Sequence, residues 1–380
     1  MLRRRAIGGN LADVPLELME SVPLAPRTTL GLGGPARFFA QAASRGEMLA
    51  ALRWAADREV PVFILGGGSN LVVGDAGFPG LVVHAAWPGQ RWSSSSAELS
   101  VVAEAGEPWD SVVAESVRRG TADIACLSGI PGSSGAAPVQ NIGAYGGEVA
   151  DVIHRLTLLD RTSLEVADLD RDACQFGYRD SLFKRHPERF VILALALRFH
   201  RHATPTIRYP ELAKALADDL APDAPALDAA RVRQAVLALR RRKSMVLEAD
   251  DANCRSAGSF FTNPVVAAAT AKALVAEALR RGLVSHPDEV PQYPQPDGRV
   301  KLAAAWLIER SGLRRGYRMG PVGISSHHPL ALVHHGGGKT ADLLRLALHV
   351  RGMVHDRFGV RLTPEPVMLG VEWPDLTTAG

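Results

Sequence analysis

The chain has 380 residues, 47% hydrophobic and 22% charged, the composition of an ordinary globular enzyme with large cores. Its net charge of +3 is too small for a nucleic-acid binder. Three scattered cysteines, Cys126, Cys174 and Cys254, lack CxxC spacing, which argues against a disulfide framework or a zinc site and fits a reducing cytoplasm.

This length predicts two or three domains. Arg3, Arg4 and Arg5 look like the start of a targeting signal, but no apolar stretch follows, so residues 1–22 read as an N-terminal tail. Glu47 to Arg58 has helical spacing. Val60–Leu65 reads as a buried strand, followed at once by Gly66-Gly67-Gly68-Ser69-Asn70 and a second strand, Leu71–Val73. Gly80–His84 and Leu99–Ala103 are further predicted strands, with Ser93–Ser96 as a polar turn between them. Trp109–Arg119 is an amphipathic helix ending at Gly120. Val152–Leu159, Leu164–Val166 and Phe190–Phe199 read as strands. The apolar run Phe190–Leu197 is far too short to span a bilayer. Composition shifts near 200–208. Helices are predicted over Ala213–Leu220, Asp228–Arg242, Pro264–Arg281, Val300–Ser311 and Thr340–Phe358, with a Pro-rich turn at Ala221–Pro225.

Ser128 to Val149 carries six glycines and one charge, Glu148. So many glycines cost backbone entropy, and the gain is bare N–H groups able to approach an anionic ligand closely. The Gly66–Asn70 turn alone is as consistent with a tight strand turn as with a pyrophosphate cradle; two such loops in one mixed α/β region favour the cradle. Other motifs read more plainly. Gly31-Leu32-Gly33-Gly34-Pro35-Ala36 fits GxGxxA but follows a proline-broken segment, not a strand. Gly336-Gly337-Gly338-Lys339-Thr340 resembles the end of a P-loop, yet Val333 stands where the first glycine belongs. His327-His328 and His334-His335 have no carboxylate or cysteine at ligand spacing and read as loop histidines near the surface, so no metal is expected. In Phe176-Gly177-Tyr178-Arg179-Asp180-Ser181, an arginine could clamp a carboxylate, but the residues alone favour a plain Arg179–Asp180 surface turn. Ser259 lies between Gly258 and two aromatics without a nucleophile-elbow context, and Glu365 lies between two prolines.

Six segments occur in order: GGGSN, SGIPGSSGAAPVQNIGAYG, FGYRDS, GSFFTNP, YPQPDGRVKLAAAWLIE and LTPEPVMLG. Together they resemble the UDP-N-acetylenolpyruvoylglucosamine reductase family, in its subgroup with an extra tyrosine loop, from about Leu24 to Gly370. The resemblance implies an α+β, FAD-binding fold of vanillyl-alcohol oxidase/p-cresol methylhydroxylase type. Its two α/β subdomains would span 23–90 and 91–203. A substrate-binding α+β domain would span 204–380, its C-terminal helix and strand packing back on the FAD domain. It implies non-covalent FAD held by Leu65, Gly66, Gly67, Gly68, Ser69, Asn70, Leu71, Ile130, Pro131, Gly132, Ser134, Gly135, Ala136, Ala137, Asn141, Gly143 and Ala144. Ala136 and Ala137 stand where relatives often carry serines. The catalytic residues implied are Arg179, Ser259 as proton donor and Glu365. Tyr145, Arg179, Tyr209, Arg240, Lys243, Asn263 and Gln295 are the implied substrate contacts.

The family's reaction passes hydride from NADPH to FAD, then from FAD N5 to the vinyl carbon of an enolpyruvyl group. The substrates are thus small molecules, NADPH and UDP-N-acetylglucosamine enolpyruvate. A cytoplasmic monomer without nucleic-acid or membrane partner is expected, acting in peptidoglycan synthesis. Two other readings stand beside this one. A flavin oxidase of the same fold would act on an alcohol or hydroxy acid, and a non-enzymatic nucleotide-binding protein would be colourless.

Overall fold

The computed structural model describes residues 3–5, 16–96, 98–201, 205–218 and 227–374. Most of the expected N-terminal tail, the end of the helix predicted to reach Leu220 and the Ala221–Pro225 turn lie outside these residues. The chain forms two compact units. The first comprises 1–23, 35–68 and 78–247; the second comprises 24–34, 69–77 and 248–380. The changeover at 247/248 lies well beyond the composition shift near 200–208.

The first unit contains a six-stranded antiparallel sheet in the order Arg3–Arg5, Val166–Asp170, Ile153–Asp160, Phe190–His200, Glu98–Glu104, Gln90–Ser94. Its strand Phe190–His200 is central, which accounts for a run buried from Val191 to Leu195. A four-stranded sheet runs Met19–Pro23, Pro35–Ala42, Phe78–Ala85, Val62–Leu65, parallel except for the first pair. Helix α1 (Arg45–Ala56) starts at Ser44, whose hydroxyl accepts from Glu47 N–H. It buries Met48, Leu49, Leu52 and Ala55 with Leu81 and Val83 of the second sheet.

Helix α2 (Trp109–Arg118) packs Trp109, Val112 and Val113 into a core with Leu99, Val101 and Phe199. Helix α3 (Leu182–Arg185) is a single turn capped by Ser181. Helix α4 (Pro210–Asp218) opens on a proline, whose missing N–H costs nothing at a helix start. Helix α5 (Ala229–Arg242) is capped by Asp228. Leu212 and Leu216 of α4 bury against Val232, Val236 and Leu239 of α5, with Ala125 beneath them. This apolar cluster is why both helices group with the first unit, although the sequence assigned them to the substrate domain.

In the second unit, α6 (Ala268–Arg280), α7 (Ala304–Arg310) and α8 (Thr340–Phe358) share one core. It includes Leu274, Leu307, Leu346 and Val350, with Phe260 and Phe261. An antiparallel sheet orders Ser256–Ser259, Ala331–His334, Val322–Ile324 and Arg318–Met319. A second sheet places Val300–Leu302 between Val265–Val266 and Gln292–Pro294. Val367–Leu369 pairs in parallel with Leu71–Val73.

Most predicted elements recur within a few residues, and Thr340–Phe358 recurs at both ends. The exceptions have identifiable causes. The predicted helix Pro264–Arg281 starts at Ala268, because Val265 and Val266 pair with Lys301 and Val300. For the same reason the helix predicted from Val300 starts at Ala304. Short β-branched segments follow their partners, not a helical period. Leu164 is a turn residue at φ +56°, and the strand starts at Val166. Ser93 and Ser94, expected in a turn, continue the edge strand. The strand Pro35–Ala42 has no counterpart among the predicted elements.

The P-loop-like GGGKT is explained by what faces α8. Asp75 accepts from the N–H groups of Thr340 and Ala341 at 2.7 and 3.0 Å, so a carboxylate of the chain fills the helix N-terminus. His334, expected near the surface, is instead 5% exposed. Its Nε2 accepts from Gly338 N–H and its Nδ1 therefore donates to Leu30 O, which fixes the ring in place. Among the described residues, no group of three or more His, Cys, Asp or Glu is placed to hold a metal ion. No helix among them is long and apolar enough to cross a membrane.

Replacing Asp75 by alanine removes both bonds to α8 and is expected to destabilise the protein by about 1–2 kcal/mol. Urea unfolding monitored by circular dichroism measures this, and an unchanged midpoint would show that water caps the helix equally well.

Candidate active site

The first part of the site is built where Val62–Leu65 ends. Gly66 and Gly67 lie directly against the second glycine loop. A Cβ on Gly67 would stand 2.7 Å from Cα of Gly132, and one on Gly66 would stand 2.6 Å from Ser133 Oγ. At Gly67 backbone therefore meets backbone, and at Gly66 it meets the Ser133 and Ala136 side chains, with no space for a Cβ at either. Gly132 itself has φ +121°, a conformation open to glycine and costly for other residues. The chain turns here because Trp109 N–H donates to Gly132 O and Ser134 N–H to Glu107 O. Ser134 is fully buried, and its hydroxyl has no partner among the described residues. Paired glycine turns with an unused buried donor fit a ligand rich in acceptors, such as a pyrophosphate.

Ile130 and Pro131 connect Gly129 to this contact, and Gly135, Ala136 and Ala137 continue a short 3-10 turn beyond it. Ala137 is buried. Asp110 anchors the start of the loop: Oδ1 accepts from Gly129 N–H at 2.6 Å, and both carboxylate oxygens accept from Arg233 of α5 at 2.7 Å. This bidentate pair ties the loop to the helix that ends at Arg240, Arg242 and Lys243.

Asn141 organises the middle of the loop. It is 1% exposed and sits at φ +45°. Its Nδ2 donates to Glu148 Oε2 at 2.7 Å and to Gly177 O at 3.0 Å, while Oδ1 accepts from Ala150 N–H at 3.1 Å. The side chain predicted to touch the cofactor is thus spent on the protein itself. Glu148, the one charge in the run, accepts that bond, a contact that sequence reasoning did not assign. Gly143-Ala144 pairs with Gly147-Glu148, and the two turn residues, Tyr145 (φ +49°) and Gly146 (φ +87°), are both left-handed, the geometry of a tight type I′ hairpin.

Arg179 occupies the tip of a second tight turn, closed by Gly177 N–H to Asp180 O at 2.9 Å. Its backbone is left-handed at φ +53°, uncommon for a non-glycine residue. Its guanidinium donates to Asn141 O at 3.2 Å and Gly143 O at 2.6 Å. Ser181 caps α3 and donates to Val139 O at 2.5 Å, so the arginine turn is tied to the glycine loop at several points. Asp180 pairs with Arg185. The arginine is a half-buried group gripped by loop carbonyls.

The Tyr145 ring meets Tyr209 edge to face at 5.5 Å, and Lys243 Nζ lies 5.7 Å from its centre. Burial pushes the Tyr145 phenol up to about 12, which keeps it a neutral donor. Arg240 donates to Met245 O at 2.6 Å, and burial pulls its pKa down. Tyr145, Arg179, Tyr209, Arg240 and Lys243 thus belong to one continuous patch of the first unit.

The second unit groups the other candidates. Ser259 ends its strand opposite Ala331, and its hydroxyl forms no hydrogen bond among the described residues. The next residue, Phe260, accepts from Glu365 N–H at 2.8 Å, and Phe261 pairs with Pro364. The GSFF and TPEP segments therefore run side by side, which brings Ser259 and Glu365 into neighbouring positions. Asn70 joins them, its O accepting from Val367 N–H at 3.0 Å and its Nδ2 donating to Glu365 O at 3.4 Å. Leu71 pairs with Val367, and Ser69 O accepts from Thr29. Two predicted substrate contacts are occupied locally. Asn263 Oδ1 accepts from Ala304 N–H at the start of α7, and Gln295 Nε2 donates to the carbonyls of Tyr293 and Pro294.

A family model described as "FAD binding domain" matches residues 36–166, and one described as "UDP-N-acetylenolpyruvoylglucosamine reductase, C-terminal domain" matches 249–369. The UDP-N-acetylenolpyruvoylglucosamine reductase of Streptomyces coelicolor is 44% identical over 360 residues, 94% of this chain and 91% of that protein. That of Saccharopolyspora erythraea is 48% identical over 353 residues, covering 91% and 94%. The chain belongs to the UDP-N-acetylenolpyruvoylglucosamine reductase family. The crystal structure of a reductase from Thermus caldophilus matches with a TM-score of 0.60 at 22% identity, covering 93% of this chain and 99% of that one, a likeness of fold. The reductase-family C-terminal model begins one residue after the second unit takes over at Glu248. The expected α+β FAD-binding fold and the FAD cofactor both hold.

Gly67→Ala is expected to lower bound flavin at least about tenfold, because its methyl group must displace backbone at Gly132. The ratio of visible flavin absorbance to protein absorbance after purification measures it. Full flavin content with normal affinity would show that the loop contact yields without cost.

Proposed function

We propose that the protein reduces the enolpyruvyl group of UDP-N-acetylglucosamine enolpyruvate to UDP-N-acetylmuramate, with NADPH as electron source, in cytoplasmic peptidoglycan synthesis and as a monomer. Family membership supports this reading. The observation that carries it is Arg179, held by carbonyls of the glycine loop whose other contact, at Gly66–Gly67, is shaped for a dinucleotide. FAD, when bound, supplies hydride chemistry. In this reading Gly66–Leu71 and Ile130–Ala144 hold it, Gly66–Gly68 and Gly132 by backbone approach and Ser134 through its hydroxyl.

Addition of hydride to a vinyl carbon places negative charge on the carbon beside the carboxylate. Arg179 answers that charge. Its planar fork matches a carboxylate, and the two carbonyls at Asn141 and Gly143 fix it before substrate arrives, so little reorganisation is needed. Asn141 and Glu148 act as positioning groups, because they hold the carbonyl-bearing loop and the Gly177 turn together. Ser259 delivers the proton that completes reduction. A serine hydroxyl is a weak acid, so the basicity of the carbanion must drive the transfer. Glu365 is assigned a hydrogen bond to the substrate, with its backbone fixed by Phe260 and two flanking prolines. Tyr209, Arg240 and Lys243 are assigned to substrate binding, with Asn263 and Gln295 as contacts that require release from their local bonds.

Ser259→Ala is expected to leave bleaching of the flavin by NADPH intact. Recovery of colour on adding the enolpyruvyl sugar should slow by about 10²–10⁴-fold. Stopped-flow absorbance separates the two halves, and recovery at the normal rate would remove Ser259 from proton delivery. Tyr209→Phe is expected to raise KM with little loss of kcat, and steady-state kinetics identical to the parent would take Tyr209 out of the substrate site.

A further inference from the structure

Lys243 sits at the C-terminal end of α5, and its Nζ donates to Glu211 Oε2 at 2.5 Å. Glu211 lies in the first turn of α4, two residues beyond Tyr209. The side chains are 31% and 39% exposed, so solutes can reach the pair. Folding has little use for it. An exposed pair contributes little, and α4 and α5 are already joined through Leu212, Leu216, Val232, Val236 and Leu239. The pair also lies beside groups that look prepared for an anion. Lys243 stands near the Tyr145 ring that Tyr209 meets. One turn back on α5, Arg240 has a buried Nε with no partner among the described residues.

We propose that Glu211 is an internal stand-in for an anionic group of the substrate. It holds Lys243 at the Tyr145–Tyr209 pair in the resting enzyme and is displaced when the diphosphate or carboxylate of the substrate takes the ammonium. Glu211 is therefore a positioning residue that weakens substrate affinity. The inference rests on the placement of Lys243 in the substrate site proposed above.

The test is calorimetric titration of the FAD-loaded enzyme with UDP and, separately, with UDP-N-acetylglucosamine enolpyruvate. Glu211→Gln should tighten binding about two- to fivefold, the scale of one exposed ion pair. Glu211→Ala should do the same with a smaller side chain. Lys243→Met should weaken binding by about tenfold or more. In the Lys243→Met background, Glu211→Gln should have no effect, since its action runs through the lysine. Tightening with both ligands places the displacing anion at the diphosphate; tightening with the enolpyruvyl sugar alone places it at the carboxylate. Unchanged or weaker binding in both Glu211 variants, with Lys243→Met still weak, overturns the stand-in role. Normal binding by Lys243→Met overturns the placement of Lys243 itself.

Discussion

Gly66–Gly67 lies so close to Gly132–Ser133 that neither of the first two glycines could carry a Cβ, and the first unit is organised by that contact. The loop from 128 to 149 cannot drift while it is pinned there. It is pinned again at Gly129 by Asp110, at Asn141 by Gly177 and at Gly143 by Arg179. The first pin reaches α2 and, through Arg233, α5; the other two reach the arginine turn. One irregular segment thus fixes the cofactor cradle and the cationic groups ascribed to the substrate. Rigidity comes from hydrogen bonds to backbone, since a glycine-rich loop has few side chains to pack.

The second unit solves a different problem with similar means. It places a hydroxyl and a carboxylate side by side by pairing the GSFF segment with TPEP. Prolines on both sides of Glu365 remove rotational freedom that a flexible loop would lose on binding. Asn70, from a distant part of the chain, closes the same pairing. Asp75, a few residues on, caps α8. The segment 69–77 therefore serves the second unit, although the glycines just before it serve the first.

What could be read from residues alone follows physical range. Helices with long amphipathic patterns, such as Thr340–Phe358, were legible because their period repeats over several turns. The short pairings at Val265–Val266 and Val300–Leu302 were not, because segments of two or three residues carry no period and only the partner decides. Arg179 was ambiguous by itself, and the order of six motifs raised it above a surface turn. Its left-handed backbone and its grip on Asn141 and Gly143 have no sequence signal. Asn141 had a further role that residues alone did not show. A polar residue in a ligand loop reads as a ligand contact, and its amide also holds the loop together. Glu211 lay next to a named tyrosine, yet its pairing with Lys243 needed the folding of α4 onto α5 to become visible.

The left-handed backbone at Arg179 has a consequence for how this protein responds to selection. A non-glycine residue held there costs roughly 1–3 kcal/mol, and asparagine or glycine would hold the same turn with less strain. Backbone strain therefore favours glycine or asparagine here, while the two guanidinium bonds that pin the loop and the proposed chemistry favour arginine. A replacement that relieves the backbone also frees the glycine loop at Asn141 and Gly143, so the strain is a standing cost of keeping the loop and the carboxylate-binding group together.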